Sequence, residues 1–144
     1  MTHETIIHGY IEGSTFTPKD YRKLQNLNYE VINKLPEDDE YPYLSKSMFS
    51  IPEQDYAKGT YQSQIIHFGA SIKSLECGDE LLWINKFENL LKKLYWYSTA
   101  TYFITEMDGE YKYSWLLADD IISTYHSENP LVSYQWLRKI QYYD

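Results

Sequence analysis

Residues 100–117, ATYFITEMDGEYKYSWLL, carry aromatic and β-branched residues on both sides of Asp108-Gly109. That dipeptide favours a tight turn with both central residues at positive φ, so the stretch reads as a β-hairpin. With Met107 facing Glu110, one face of the hairpin holds Tyr102, Ile104, Glu106, Tyr111, Tyr113, Trp115 and Leu117. Thr101, Phe103, Thr105, Lys112 and Ser114 share the other. The first, aromatic face is expected to cover the core or a partner.

Upstream of the hairpin, Asp79 can cap a helix reaching about Leu94. Trp83, Ile84, Phe87, Leu90, Leu91 and Leu94 form its apolar stripe, and Asn85, Lys86, Asn89, Lys92 and Lys93 its wet face. Lys92 and Lys93 also suit the negative end of the helix dipole. Before that helix, Tyr61 to Ser74 alternates as a long strand. Gln62, Gln64, Ile66, Phe68, Ala70 and Ile72 lie on one side, and Ser63, Ile65, His67, Gly69 and Ser71 on the other. Gly69 marks a bend, a bulge or a close approach by another element.

Further out, Ile6 to Glu12 reads as a first strand and Ser47 to Ile51 as a short one. Between them Thr17-Pro18-Lys19-Asp20 opens a helix, with Tyr21, Leu24, Asn28, Val31 and Leu35 at helical spacing, and Pro36 stops it. Only Asn28 interrupts that apolar stripe. After Asp119-Asp120 the pattern weakens: Asn129-Pro130 reads as a turn and Tyr134 to Tyr143 as a short terminal helix carrying Trp136, Leu137 and Ile140. The order predicts one α+β domain over residues 1–144. Its expected architecture is an antiparallel sheet of about five strands with two main helices on one face, ferredoxin-like or a variant of it, plus the short C-terminal helix.

Composition narrows the function. Thirteen Lys+Arg against 21 Asp+Glu leave a net charge of −8, which repels phosphate backbones and argues against nucleic acid as a partner. A basic protein is the natural complement, although acidity also serves solubility alone. No apolar run approaches a membrane span and MTHETIIHGY lacks the features of a signal peptide, so no membrane association and a cytoplasmic location are expected. The single Cys77 excludes an internal disulfide and a thiolate zinc cluster. Sixteen Tyr, 4 Trp and 5 Phe exceed what a domain this size can hide with every hydroxyl paired, so several tyrosines should lie at the surface.

Chemistry is sparse. His3, His8, His67 and His126 lack the spacing by which two imidazoles meet one metal, although His8 and His67 could face each other from neighbouring strands. There is no nucleophile motif, no clustered glycine loop for a phosphate or dinucleotide, and no basic stripe among the aromatics. No catalytic, metal or cofactor site is expected, and the chain does not read as an enzyme. The one concentrated feature is Glu37-Asp38-Asp39-Glu40 followed by Tyr41-Pro42-Tyr43. Such a run cannot be buried: it is either a solvated loop or an acidic, tyrosine-flanked contact for a basic partner.

The stretches 64–69 (QIIHFG), 86–96 (KFENLLKKLYW) and 109–115 (GEYKYSW) resemble small bacterial immunity proteins, the antidotes of polymorphic and contact-dependent growth-inhibition toxins. The likeness lies in general make-up, an acidic α+β domain in which a long strand is followed by a Phe/Trp helix and then by a hairpin ending in Tyr-x-Trp. It implies a cytosolic protein that binds one cognate toxin domain, a basic nuclease in many members of that class, and carries no individual residue role. The contact expected from charge and aromatic content is Glu37, Asp38, Asp39, Glu40, Tyr41 and Tyr43, with Asp119 and Asp120 as a second acidic pair. The competing reading is a small ligand-binding or scaffold domain with a pocket on a sheet face lined by Tyr102, Tyr111, Tyr113 and Trp115.

Overall fold

The computed structural model describes residues 4–12, 18–51, 65–73, 75, 78–96, 98–105, 109–117 and 136–143, with 18–24 and 117 described by their backbone alone. Along the chain come β1 (Glu4–Glu12), α1 (Pro18–Asn33), a 3-10 turn (Lys46–Met48), β2 (Phe49–Ser50), β3 (Ile65–Lys73), α2 (Asp79–Leu91), β4 (Ser98–Thr105), β5 (Gly109–Leu117) and β6 (Trp136–Tyr143). The strands form one antiparallel sheet in the order β2-β3-β1-β4-β5-β6. The α+β expectation holds, with six strands among the described residues where about five were expected.

Period-two alternation places the core. Ile66, Phe68 and Ile72 of β3 and Ile7 and Ile11 of β1 point to one side, and α2 lays Trp83, Ile84, Phe87, Leu90 and Leu91 over them. Trp83 stacks on Phe87 at 5.2 Å, and this slab meets Phe68, Phe103 and Trp115 at centroid distances of 5.1–6.0 Å. Such offset and edge contacts add about 0.5–1.5 kcal/mol per pair beyond burial. Ile32 of α1 belongs to the same cluster, with Leu27, Val31 and Leu35 packed against it. The cap expected at Asp79 falls one residue earlier, on Gly78 at φ +94°, with Asp79 inside the first turn, and the helix ends at Leu91; Leu94, Tyr95 and Trp96 stay buried beyond it.

Asn28, the polar break in the α1 stripe, is 2 % exposed and ties α1 to the segment that follows α2. Its Nδ2 donates to the Tyr95 carbonyl and its Oδ1 accepts from the Tyr95 amide, both at 2.8 Å. The segment after α2 cannot continue the helical ladder, so its backbone needs partners, and Asn28 supplies one donor and one acceptor.

Three expectations are corrected. First, the hairpin pairs Thr105 with Gly109 and Phe103 with Tyr111, not Met107 with Glu110. Three residues, 106–108, lie between the last paired positions and are outside the described residues, while Gly109 adopts φ +75°. The register is offset by an odd number, which exchanges the faces of one strand relative to the other. Tyr111, Tyr113 and Trp115 therefore share the core side with Phe103 and Thr101, whereas Tyr102 and Ile104 point to the opposite side.

Second, residues 136–143 form strand β6, not a helix. An apolar trio at 136, 137 and 140 fits a helix turn, but β5 offers a row of unpaired backbone groups, and satisfying them outweighs local propensity. Third, Gly69 sits in unbroken register opposite His8 with ordinary clearance, so it marks no bulge. The close approach is at Gly9, where a Cβ would overlap the Ala100 carbonyl oxygen and lie 2.7 Å from the Phe68 ring. The expected segments 61–64, 74 and 134–135 fall outside the described residues.

Two buried polar side chains make opposite predictions. Asn28→Leu removes the hydrogen bonds that Asn28 makes to both the amide and the carbonyl of Tyr95, so urea denaturation should show a loss of roughly 2–5 kcal/mol. Thr101 Oγ1 is buried and has no hydrogen-bond partner among the described residues. Thr101→Val keeps its shape and should be neutral or stabilising by up to about 1 kcal/mol; a clear loss of stability would show that the hydroxyl is used.

Candidate functional site: the acidic loop held on helix α2

After α1 the chain turns at Lys34–Pro36 and runs as an irregular loop to the 3-10 turn, which is closed by the Lys46 amide donating to the Pro36 carbonyl at 2.9 Å. The expected contact residues Glu37 to Tyr43 lie on this loop, and α2 holds them. Lys86, expected on the wet face of its helix, instead reaches across. Its Nζ donates to Asp39 Oδ2 at 2.8 Å, the Glu40 carbonyl at 2.7 Å and the Pro42 carbonyl at 2.9 Å. Three acceptors match the three protons of an ammonium. Trp83 Nε1 donates to the Tyr43 carbonyl at 2.8 Å, and the Tyr41 hydroxyl donates to Asp79 Oδ2 at 3.1 Å. The Tyr41–Pro42 peptide is cis.

The run thereby splits into two kinds of residue. Asp39 is structural: half-buried, it also accepts from the Leu44 amide at 2.9 Å. Burial raises the pKa of its carboxyl, but the Lys86 hydrogen bond, the Leu44 and Glu40 amides and the Lys86 charge outweigh this and hold it below the ordinary 3.8. Glu37, Asp38 and Glu40 are exposed. Tyr41 and Tyr43 are 40 % and 48 % exposed, with their rings edge-on at 6.1 Å. Leu82, 50 % exposed, lies on the same helix face as Asp79 and Lys86 and extends the patch. Sequence reasoning missed Leu82 and Lys86; helical spacing from Asp79 would have found both, had the loop been known to lie there.

The remaining expectations divide. Asp119 and Asp120 lie outside the described residues. The aromatic pocket does not form: Tyr111, Tyr113 and Trp115 are core residues and Tyr102 faces the other way. Burial pushes the Tyr113 hydroxyl pKa up, reinforced by Glu80 and Tyr142 and opposed by Arg138. A cleft of about 550 Å³ does adjoin the acidic loop, between Ile32, Glu37, Asp38, Lys46, Phe49 and Ile51. His8 and His67 lie on neighbouring strands and on the same face, opposite Gly69 and Tyr10 respectively. The His8 ring stacks on Tyr102 at 5.0 Å, with Lys112 Nζ 5.7 Å over the same tyrosine ring. Among the described residues no group of three or more His, Cys, Asp or Glu could hold a metal ion, and no helix is long and apolar enough to cross a membrane.

A scan of protein-family models, a search of curated proteins and a search of solved structures each return no match to this chain.

The lowered pKa of Asp39 sets a pH dependence. The unfolded or loosened loop binds the proton more tightly, so the stabilisation is fully present above 3.8 and is lost as pH falls through the lower value of the folded state. Amide exchange at Leu44 should accelerate in that acid range. In Lys86→Met it should already be fast at neutral pH, because the Asp39 charge and two carbonyls lose their common donor. Unchanged exchange in the variant would show that the ammonium does not hold the loop.

Proposed function

We propose that this chain is an immunity protein that neutralises a cognate bacterial toxin domain in the cytosol by direct contact, and that its partner surface is the acidic loop. One observation carries the reading: Lys86 and Trp83 fix the loop backbone from behind, so that Glu37, Asp38, Glu40, Tyr41 and Tyr43 face outward on a rigid support. Holding an interface in place before binding reduces the ordering cost of association. The carboxylates steer a basic surface into place, and the two rings with Leu82 supply apolar area that is desolvated on contact. A net charge of −8 adds long-range attraction to a basic nuclease domain. Such a chain needs no catalytic group or cofactor of its own. The element order from β1 to β4, with strand order β2-β3-β1-β4, supports a ferredoxin-like reading of that part, with β5 and β6 added at one edge.

A second reading rests on the cleft beside the loop. Its volume lies within the roughly 300–1,000 Å³ usual for small-molecule sites, and Ile32, Phe49 and Ile51 give it apolar walls. In that case thermal stability should rise with a small ligand and not with a protein partner.

The test is co-expression with the product of the adjacent open reading frame, followed by stopped-flow and surface-binding kinetics on the purified pair. Reversing Glu37, Asp38 and Glu40 to lysine should lower the association rate about tenfold or more and flatten its salt dependence. Tyr41→Ala with Tyr43→Ala should act mainly on dissociation. A captured toxin whose kinetics ignore both sets of changes would move the interface elsewhere on the chain.

A further inference from the structure

The sheet ends differently at its two edges. On one side β2 contributes only Phe49 and Ser50. On the other, β6 runs for eight residues in unbroken register with β5 and presents its outer row of N–H and C=O groups without a paired strand among the described residues. Seven consecutive residues, Leu137 to Tyr143, are exposed, including Leu137 at 60 %, Ile140 at 45 % and Tyr142 at 71 %. A long, regular, apolar edge strand is a template for another strand, and proteins that avoid such pairing blunt the edge with proline, a bulge or inward charges. β6 has neither proline nor bulge. Its Arg138 is engaged by Glu88, with Nη1 at 3.2 Å and 3.3 Å from the two carboxylate oxygens, which leaves Lys139 as the outlying charge.

We propose that β6 is a self-pairing edge: two copies join β6 to β6 antiparallel about a twofold axis perpendicular to the sheet. The side-chain pattern selects a second copy as the occupant. A twofold of this kind brings same-face residues opposite one another, so the dyad must pass through a residue. Centred on Lys139, it would oppose two ammonium groups. Centred on Ile140, it pairs Ile140 with its own copy, Leu137 with Tyr143, Arg138 with Tyr142 and Lys139 with Gln141, with no like charges directly opposed. Centred on Gln141, it leaves Leu137 beyond the end of the partner β6. The acid surplus is kept off the contact itself, because no Asp or Glu occurs from Trp136 to Tyr143. The acidic loop leads into β2 at the far edge, five strand spacings or about 24 Å away, so the dimer leaves that surface open.

Analytical ultracentrifugation of the full chain over a wide concentration range tests this. The expected result is a reversible shift to twice the chain mass, abolished by Ile140→Lys and retained by Leu82→Lys, a similar change on an exposed apolar residue of α2 away from β6. A second measurement on the unaltered protein guards against an Ile140→Lys variant that fails to fold: hydrogen exchange in β6 should slow as concentration rises, with β2 and β3 unaffected. A chain that stays monomeric with concentration-independent β6 exchange overturns the proposal, as does a dimer lost in Leu82→Lys but not in Ile140→Lys.

Discussion

The stacked pair of Trp83 and Phe87 sets where helix α2 lies, because two large flat rings wedged among Phe68, Phe103 and Trp115 leave the helix no freedom to roll. The surface features follow from that placement. On one flank Lys86 meets the loop after α1. On the other, Glu88 accepts from Trp115 Nε1 at 2.8 Å and from Arg138, tying β5 and β6 to the same helix. Past its end, the Trp96 indole donates to the Leu91 carbonyl and its ring meets Trp136 of β6 at 5.8 Å. One helix thus organises both the acidic loop and the overhanging edge strand.

The aromatic surplus is divided between two tasks. Trp83, Trp96, Trp115, Tyr95, Tyr111 and Tyr113 are inside, where rings fill volume with few rotamers to lose. Tyr29, Tyr41, Tyr43, Tyr142 and Tyr143 are exposed. They are not scattered evenly: Tyr41 and Tyr43 stand beside acids on the loop, and Tyr142 and Tyr143 end strand β6, which carries no acid at all. The two exposed pairs therefore sit in opposite electrostatic surroundings.

Lys86 shows how a structural lysine can look like a solvent-facing one. It stands with Asn85 and Asn89 on the side of α2 away from the core stripe, where a lysine is expected to be hydrated. Four methylenes allow its ammonium to cross to a loop some forty residues earlier in the chain, and only the path of that loop makes the three acceptors available. Asp39 is the counterpart: one of four consecutive acids, distinguished from its neighbours by what it touches.

Local pattern was enough to place strand β1, strand β3 with its faces, the α2 stripe, a hairpin around Gly109 and the acidity of the loop. Each is written in a short period or a single turn residue, which neighbouring positions carry without help. The remainder waited on the folded chain. The hairpin register depends on how many residues close the turn, and an odd offset moves Tyr102 and Ile104 away from the core. Residues 136–143 are short enough to be helix or strand, and the open edge of β5 made them a strand. Asn28 reads as a flaw in a helix until Tyr95, 67 residues later, supplies the two backbone groups it binds. In the last two cases the deciding partner lies outside the segment itself, and backbone groups removed from water take whichever partner the fold brings to them.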